Sequence, residues 1–149
     1  MIAIGADHGG FALKEKLIEY YQENKEVKLK DYGAFNEERG LEEPIVALKV
    51  AEAVAKGECE AGILICRSGV GMTIAANKVK GIFCGLAYNM EVAKSLKEHN
   101  HANIIALGAD YTDFEHAVQY IEAWKNAEFL GDIYQERIDI VAQYEMKEK

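Results

Sequence analysis

Five short, mostly apolar runs recur along the chain, at Ile2–Ala6, Val27–Asp31, Gly62–Cys66, Ile82–Ala87 and Asn103–Leu107, separated by amphipathic stretches. This alternation restricts the chain to one class of architecture. Apolar runs of four to eight residues without polar alternation suit strands covered on both faces. The stretches Phe11–Asn24, Pro44–Lys56, Met72–Lys78, Asn89–His99 and Tyr111–Ala127 read as helices, with a further charged helix after Gly131. In the first of them Phe11, Leu13, Leu17, Ile18 and Tyr21 fall largely on one face, opposite Lys14, Glu15, Glu19 and Glu23, as a helix laid on a sheet requires. Parallel strands need helical crossovers of fixed hand, so the pattern predicts an α/β fold: an open five-stranded parallel sheet with helices on both faces. Such sheets bind ligands beyond the carboxyl ends of their strands.

With 149 residues, half of them hydrophobic, residues 1–149 are read as a single domain with one core. The formal net charge of −8 disfavours nucleic acid and anionic membranes as partners, so an anionic ligand needs a local positive site. No basic leader precedes the first strand and no 18-residue apolar run occurs, which points to a cytoplasmic protein. Cys59, Cys66 and Cys84 are odd in number and lack a CxxC pair, against both a disulfide framework and a zinc site. Pro44, the only proline, suits the first turn of the second helix. The acidic segment Asn36–Glu43 reads as a surface loop able to reach over a site. The terminal helix Arg137–Lys149 repeats Ile138, Val141 and Tyr144 at helical spacing, a face for the domain or for a partner subunit.

The titratable residues cluster at expected strand ends. The first strand runs into Asp7-His8-Gly9-Gly10, the third into Cys66-Arg67-Ser68-Gly69-Val70-Gly71, and His99-Asn100-His101 stands just before the fifth. A buried cysteine is commonly a small apolar filler. Cys66, however, sits where a strand turns into a helix and beside Arg67, both of which favour thiolate. A thiolate can take a carbon-bound proton next to a carbonyl while the neighbouring N–H groups hold the resulting enediolate oxygen. The glycines of Gly69-Val70-Gly71 allow that close approach, whereas Met72, Thr73 and Ile74 after them match neither a P-loop nor a dinucleotide fingerprint. His8 and His99, with Asp7 and Asn100, suit acid–base work and hydroxyl recognition at the mouth of the sheet. His101 has no such case, and His116 is read as structural.

The stretches Gly5–Lys14, Gly62–Cys66, Ser68–Val79 and Glu98–Asn103 resemble the type B ribose-5-phosphate isomerases and the related galactose-6-phosphate isomerase subunits, a likeness that covers nearly the whole chain. The resemblance implies a Rossmann-like three-layer α/β/α sandwich, its C-terminal helix extending to a partner subunit. It also implies a homodimer or homotetramer with active sites shared between subunits, and no metal or organic cofactor. Carried over residue by residue, Cys66 matches the base that moves a proton between C1 and C2, and His99 the residue that protonates the ring oxygen. Ser68 stands where the family usually has Thr and keeps the hydroxyl that assists ring opening. Asp7, Asn100 and the backbone of Gly69, Val70 and Gly71 match positions that bind sugar hydroxyls and the enediolate, while His8 and Arg137 match phosphate contacts.

Several positions depart from that pattern, and the lost cations fall at the phosphate end. Asp110 stands in place of an Arg, Ile133-Tyr134 in place of an Arg-His pair, Glu42-Glu43-Pro44 in place of Asp-Tyr-Pro, and Arg67 in place of a small residue. Asp110 is therefore expected to bring negative charge toward the phosphate and weaken its binding, unless Arg67 replaces the missing cations. The reading at this stage is an aldose–ketose isomerase working through a cis-enediolate, with ribose 5-phosphate and ribulose 5-phosphate as first candidates. Galactose or allose 6-phosphate, or an unphosphorylated sugar, stays open, as do a non-catalytic sugar-binding subunit and a flavodoxin-like module.

Overall fold

The apolar runs become strands because only a sheet lets a chain this rich in Ile, Leu and Val pair its backbone while both faces are covered. The computed structural model describes residues 1–24, 27–36 and 42–147. Strands β1 (Ile2–Ala6), β2 (Leu29–Asp31), β3 (Ala61–Cys66), β4 (Cys84–Leu86) and β5 (Ile104–Gly108) form one sheet in the order β2-β1-β3-β5-β4. Every pair is parallel, with Ile2 opposite Ala61 and Gly62 opposite Ile104. β1 and β5 are buried along their whole length, and the edge strands β2 and β4 are cut to three residues each.

Helices α1 (Phe11–Asn24), α4 (Met90–Glu98) and α5 (Phe114–Asn126) cover one face, and α2 (Glu43–Ala55) and α3 (Val70–Ala76) the other. On the first face Leu17, Ile121 and Trp124 pack against Ile4, Ile63 and Ile105. On the second, Val46, Val50 and Met72 pack against Ala3, Leu64 and Ile104. Each such aliphatic or aromatic side chain contributes roughly 1.5–3 kcal/mol on burial. Trp124 is buried with its Nε1–H donating to the carbonyl of Ala102 at 2.9 Å, so its polar edge carries no desolvation penalty. Lys14 is fully buried, and its Nζ pairs with Asp31 at 2.8 Å and Glu15 at 2.9 Å.

The three expected layers are present, and the element boundaries moved for local reasons. α2 starts at Glu43, so Glu43 is helical rather than part of a loop; residues 37–41 of the expected loop lie outside the described residues. α3 starts two residues early because Gly69, at φ 81°, turns the chain directly into Val70. α5 starts at Phe114, where the Asp113 side chain accepts the His116 N–H at 2.9 Å and fixes the first turn. The final helix α6 (Ile133–Lys147) begins a turn before Arg137 and has no buried residue. Among the described residues no helix is long and apolar enough to cross a membrane.

Candidate active site

The carboxyl ends of β1, β3 and β5 meet in a cluster of turns. Asp7 leaves β1 with its side chain buried, and its Oδ1 accepts the N–H groups of Gly9 at 2.9 Å and Gly10 at 3.1 Å. These bonds close the turn that carries His8, which is half-buried. The Asp7 N–H donates to the carbonyl of Ile65, tying this turn to β3. Cys66, the last residue of β3, is 1% exposed, and its Sγ accepts the N–H of Gly69 at 3.1 Å. The left-handed conformation of Gly69 folds that N–H back onto the sulfur, and a Cβ there would collide with Leu86. Ser68 is exposed, with its Oγ accepting the Val70 N–H at 3.2 Å.

Burial pushes the Cys66 thiol above the ordinary thiol range; hydrogen bonds from the backbone at Met72 and Gly69 oppose the shift, and the Glu43 carboxylate adds to it. The expected lowering by Arg67 is not what the structure shows. The Arg67 stem lies across Gly9, where a Cβ would collide with it, and its Nε donates to Oδ2 of Asp110 at 3.0 Å. Asp110 therefore does not face the site as an unbalanced charge. It follows β5, where the Ala109 and Asp110 N–H groups donate to the carbonyls of Cys66 and Arg67. Cys84 is inert by comparison, its thiol pushed up to about 12 by burial.

His99 lies elsewhere. A residue that precedes a parallel strand sits at that strand's amino end, and His99 is the C-cap of α4, ahead of β5. Within one chain the four steps from Ile104 to Gly108 separate it from the Cys66 turn by roughly 13 Å or more. Sequence reasoning placed both groups at one mouth of the sheet; the topology places them at opposite ends. The His99 ring stacks on Tyr134 with centroids 4.4 Å apart and planes 10° apart, and the Arg137 guanidinium carbon lies 5.6 Å from the Tyr134 ring centre. These residues, with Asn100, line a cleft of about 610 Å³ between α4 and α6 whose floor includes Cys84. His101 stacks on Phe129 at 4.3 Å, and His116 meets its cap residue Asp113 at 2.7 Å.

The expected site residues thus fall in two separate clusters, Asp7, His8, Arg67, Ser68 and the Cys66–Gly71 turn at one end of the sheet and His99, Asn100 and Arg137 at the other. Sequence reasoning missed Glu43 as a neighbour of Cys66. Its place before Pro44 marks a helix start, but nothing local shows that the helix aims its first carboxylate at another turn.

An all-parallel α/β fold with a thiol and two anchored turns at the carboxyl ends of its central strands is the architecture of a small-molecule-binding α/β protein. The chain belongs to the Ribose/Galactose Isomerase family, whose description matches residues 2–141. It is 37% identical to ribose-5-phosphate isomerase B of Escherichia coli, covering 98% of this chain and 97% of that one. It is 36% identical to D-erythrulose-4-phosphate isomerase of Pectobacterium atrosepticum, covering 99% and 97%. The solved structure of Clostridium thermocellum ribose-5-phosphate isomerase B superposes with a TM-score of 0.95 at 38% identity, over 99% of each chain. The chain is accordingly an aldose–ketose isomerase acting on a sugar phosphate.

Proposed function

We propose that the enzyme interconverts ribose 5-phosphate and ribulose 5-phosphate through a cis-enediolate, with Cys66 moving the proton between C2 and C1. The observation that carries this reading is the seat of Cys66, a thiol at the end of a buried strand with a backbone N–H fixed on its sulfur. Burial, which raises its pKa, makes the thiolate less populated but more basic where it forms. The backbone of Gly69, Val70 and Gly71 receives the enediolate oxygen, and Asp7 and Asn100 bind sugar hydroxyls. His99 protonates the ring oxygen with help from Ser68, opening the cyclic sugar. His8, Arg67 and Arg137 hold the phosphate.

These roles need two chains. Proton transfer works over about 3 Å, far less than the length of β5 that separates Cys66 from His99 within one chain. In a two-fold dimer, the amino-end half-site of one copy meets the carboxyl-end half-site of the other, which gives two complete sites. The exposed Ile133, Ile140, Val141 and Tyr144 of α6 supply an apolar face for that contact. We read the protein as a cytoplasmic homodimer, or a tetramer of such dimers, with one domain per chain.

The relative from Pectobacterium favours a second reading, in which the substrate is a shorter or otherwise different sugar phosphate and the proton chemistry is the same. A panel of phosphorylated and free tetroses, pentoses and hexoses, followed by NMR for aldose–ketose conversion, separates the two. Fastest conversion of ribose 5-phosphate supports the first reading. Faster turnover of another sugar replaces it, and no conversion of any sugar ends both.

A further inference from the structure

Glu43 is the first residue of α2, and its carboxylate lies over Gly71 in the first turn of α3, where a Cβ would collide with it. No ion pair among the described residues involves Glu43. The carboxylate is also close enough to Cys66 to act on its thiol by charge and hydrogen bonding. A carboxylate with no ion-pair partner among the described residues thus lies near both the thiol and the backbone turn assigned to the enediolate. Aldose–ketose conversion needs two proton movements, one between carbons and one between oxygens, and a single thiol supplies only the first.

We propose that Glu43 is the second proton-transfer group of the site, carrying the hydroxyl proton between O2 and O1 of the enediolate. This rests on the reading of Cys66 as the carbon base. Starting from the aldose, the Cys66 thiolate takes the C2 proton, the C2–H electrons form the C1=C2 bond, and the carbonyl electrons move onto O1. The Glu43 carboxylate takes the proton of O2–H and delivers it to O1, which leaves the negative charge on O2. The Cys66 thiol then returns its proton to C1 as the O2 electrons reform a carbonyl at C2. The thiolate and carboxylate are both regenerated, and no other reactant is consumed. A carboxylate fits this task because its two oxygens can face the two cis oxygens of the enediolate at once.

The test uses ribose 5-phosphate deuterated at C2, in ordinary water, with ketose formation and loss of the C2 deuterium both followed by NMR. Glu43→Gln keeps the size of the side chain and removes its basicity. The expected result is a fall in kcat of about 100-fold or more with KM within about threefold, while deuterium loss falls less than ketose formation, so their ratio rises above that of the native enzyme. Gly71→Ala, which puts a methyl group in the place of the carboxylate, moves the same ratio in the same direction and guards against misfolding of the first variant. Retained kcat in Glu43→Gln, or equal loss of the two rates, overturns the proposal. Cys66→Ala separates the two claims, because persistent deuterium loss in that variant refutes the reading of Cys66 instead. Alkylation of Cys66 by iodoacetamide, measured without substrate, is expected to be several-fold faster in Glu43→Gln because the charge that opposes the thiolate is gone. An unchanged rate would show that the contact itself is wrong and would likewise overturn the proposal.

Discussion

Replacing Arg67 by Ala tests how this chain holds a phosphate. In the structure the aliphatic stem of Arg67 crosses Gly9 and its guanidinium pairs with Asp110 at 3.0 Å, with the two side chains 71% and 43% exposed. An exposed pair of this kind contributes only about 0.2–1 kcal/mol to stability, so Arg67→Ala should fold normally. Its effect on the substrate should be larger. Each charge-assisted hydrogen bond to phosphate contributes about 1.5–3 kcal/mol, equivalent to roughly 10–150-fold in affinity. The variant also leaves Asp110 uncompensated near a dianion, a repulsion of about 1–4 kcal/mol per charge pair at ~4 Å. KM for ribose 5-phosphate should therefore rise by at least about tenfold, with kcat little changed because the phosphate is remote from the reacting carbons. Activity on free ribose should be unaffected. Steady-state kinetics on the two sugars measure the contrast. Unchanged KM for ribose 5-phosphate, or equal losses on both sugars, would refute the assignment of Arg67 to the anion.

Iodoacetamide should inactivate the enzyme through Cys66, faster as pH rises and still accelerating beyond the ordinary thiol pKa of about 8.5, since burial pushes this thiol upward. Peptide mapping that finds the label on Cys59 or Cys84 would contradict this. His99→Ala should impair cyclic substrate far more than a substrate trapped in open-chain form, and equal losses would remove His99 from ring opening. Gly69→Ala forces a side chain into a left-handed conformation and against Leu86; it should lower stability by about 1–3 kcal/mol, read by urea titration, and displace the N–H from Cys66. Asp31→Ala withdraws a partner from the buried Lys14 ammonium and should destabilise more than Lys14→Met, which removes the charge itself.

The central sheet was legible because β1, β3 and β5 are buried on both faces, and continuous apolar sequence is what that environment selects. The edges were less legible. Val27 and Ile82 look like strand residues, yet β2 and β4 each keep three residues because an edge strand has a partner on one side only. The carboxyl-end cluster could be read from glycine and cysteine spacing, since a sharp turn and its residues are local in sequence. His99 was misplaced for a topological reason, as the end of a helix that precedes a strand lies at the far side of the sheet. The Arg67–Asp110 pair and the reach of Glu43 over Gly71 join residues 43 and 28 positions apart, and only the packing of the elements brings them together.

A shared active site makes a quantitative demand on two inactive variants. Cys66→Ala and His99→Ala, each purified alone, should lack activity on cyclic ribose 5-phosphate. Co-expressed in equal amounts, half of the dimers should be mixed, and each mixed dimer should carry one site with both defects and one with none. The account predicts recovery of about a quarter of native activity. No recovery beyond the sum of the separate variants, with mixed dimers confirmed by mass spectrometry, would contradict it.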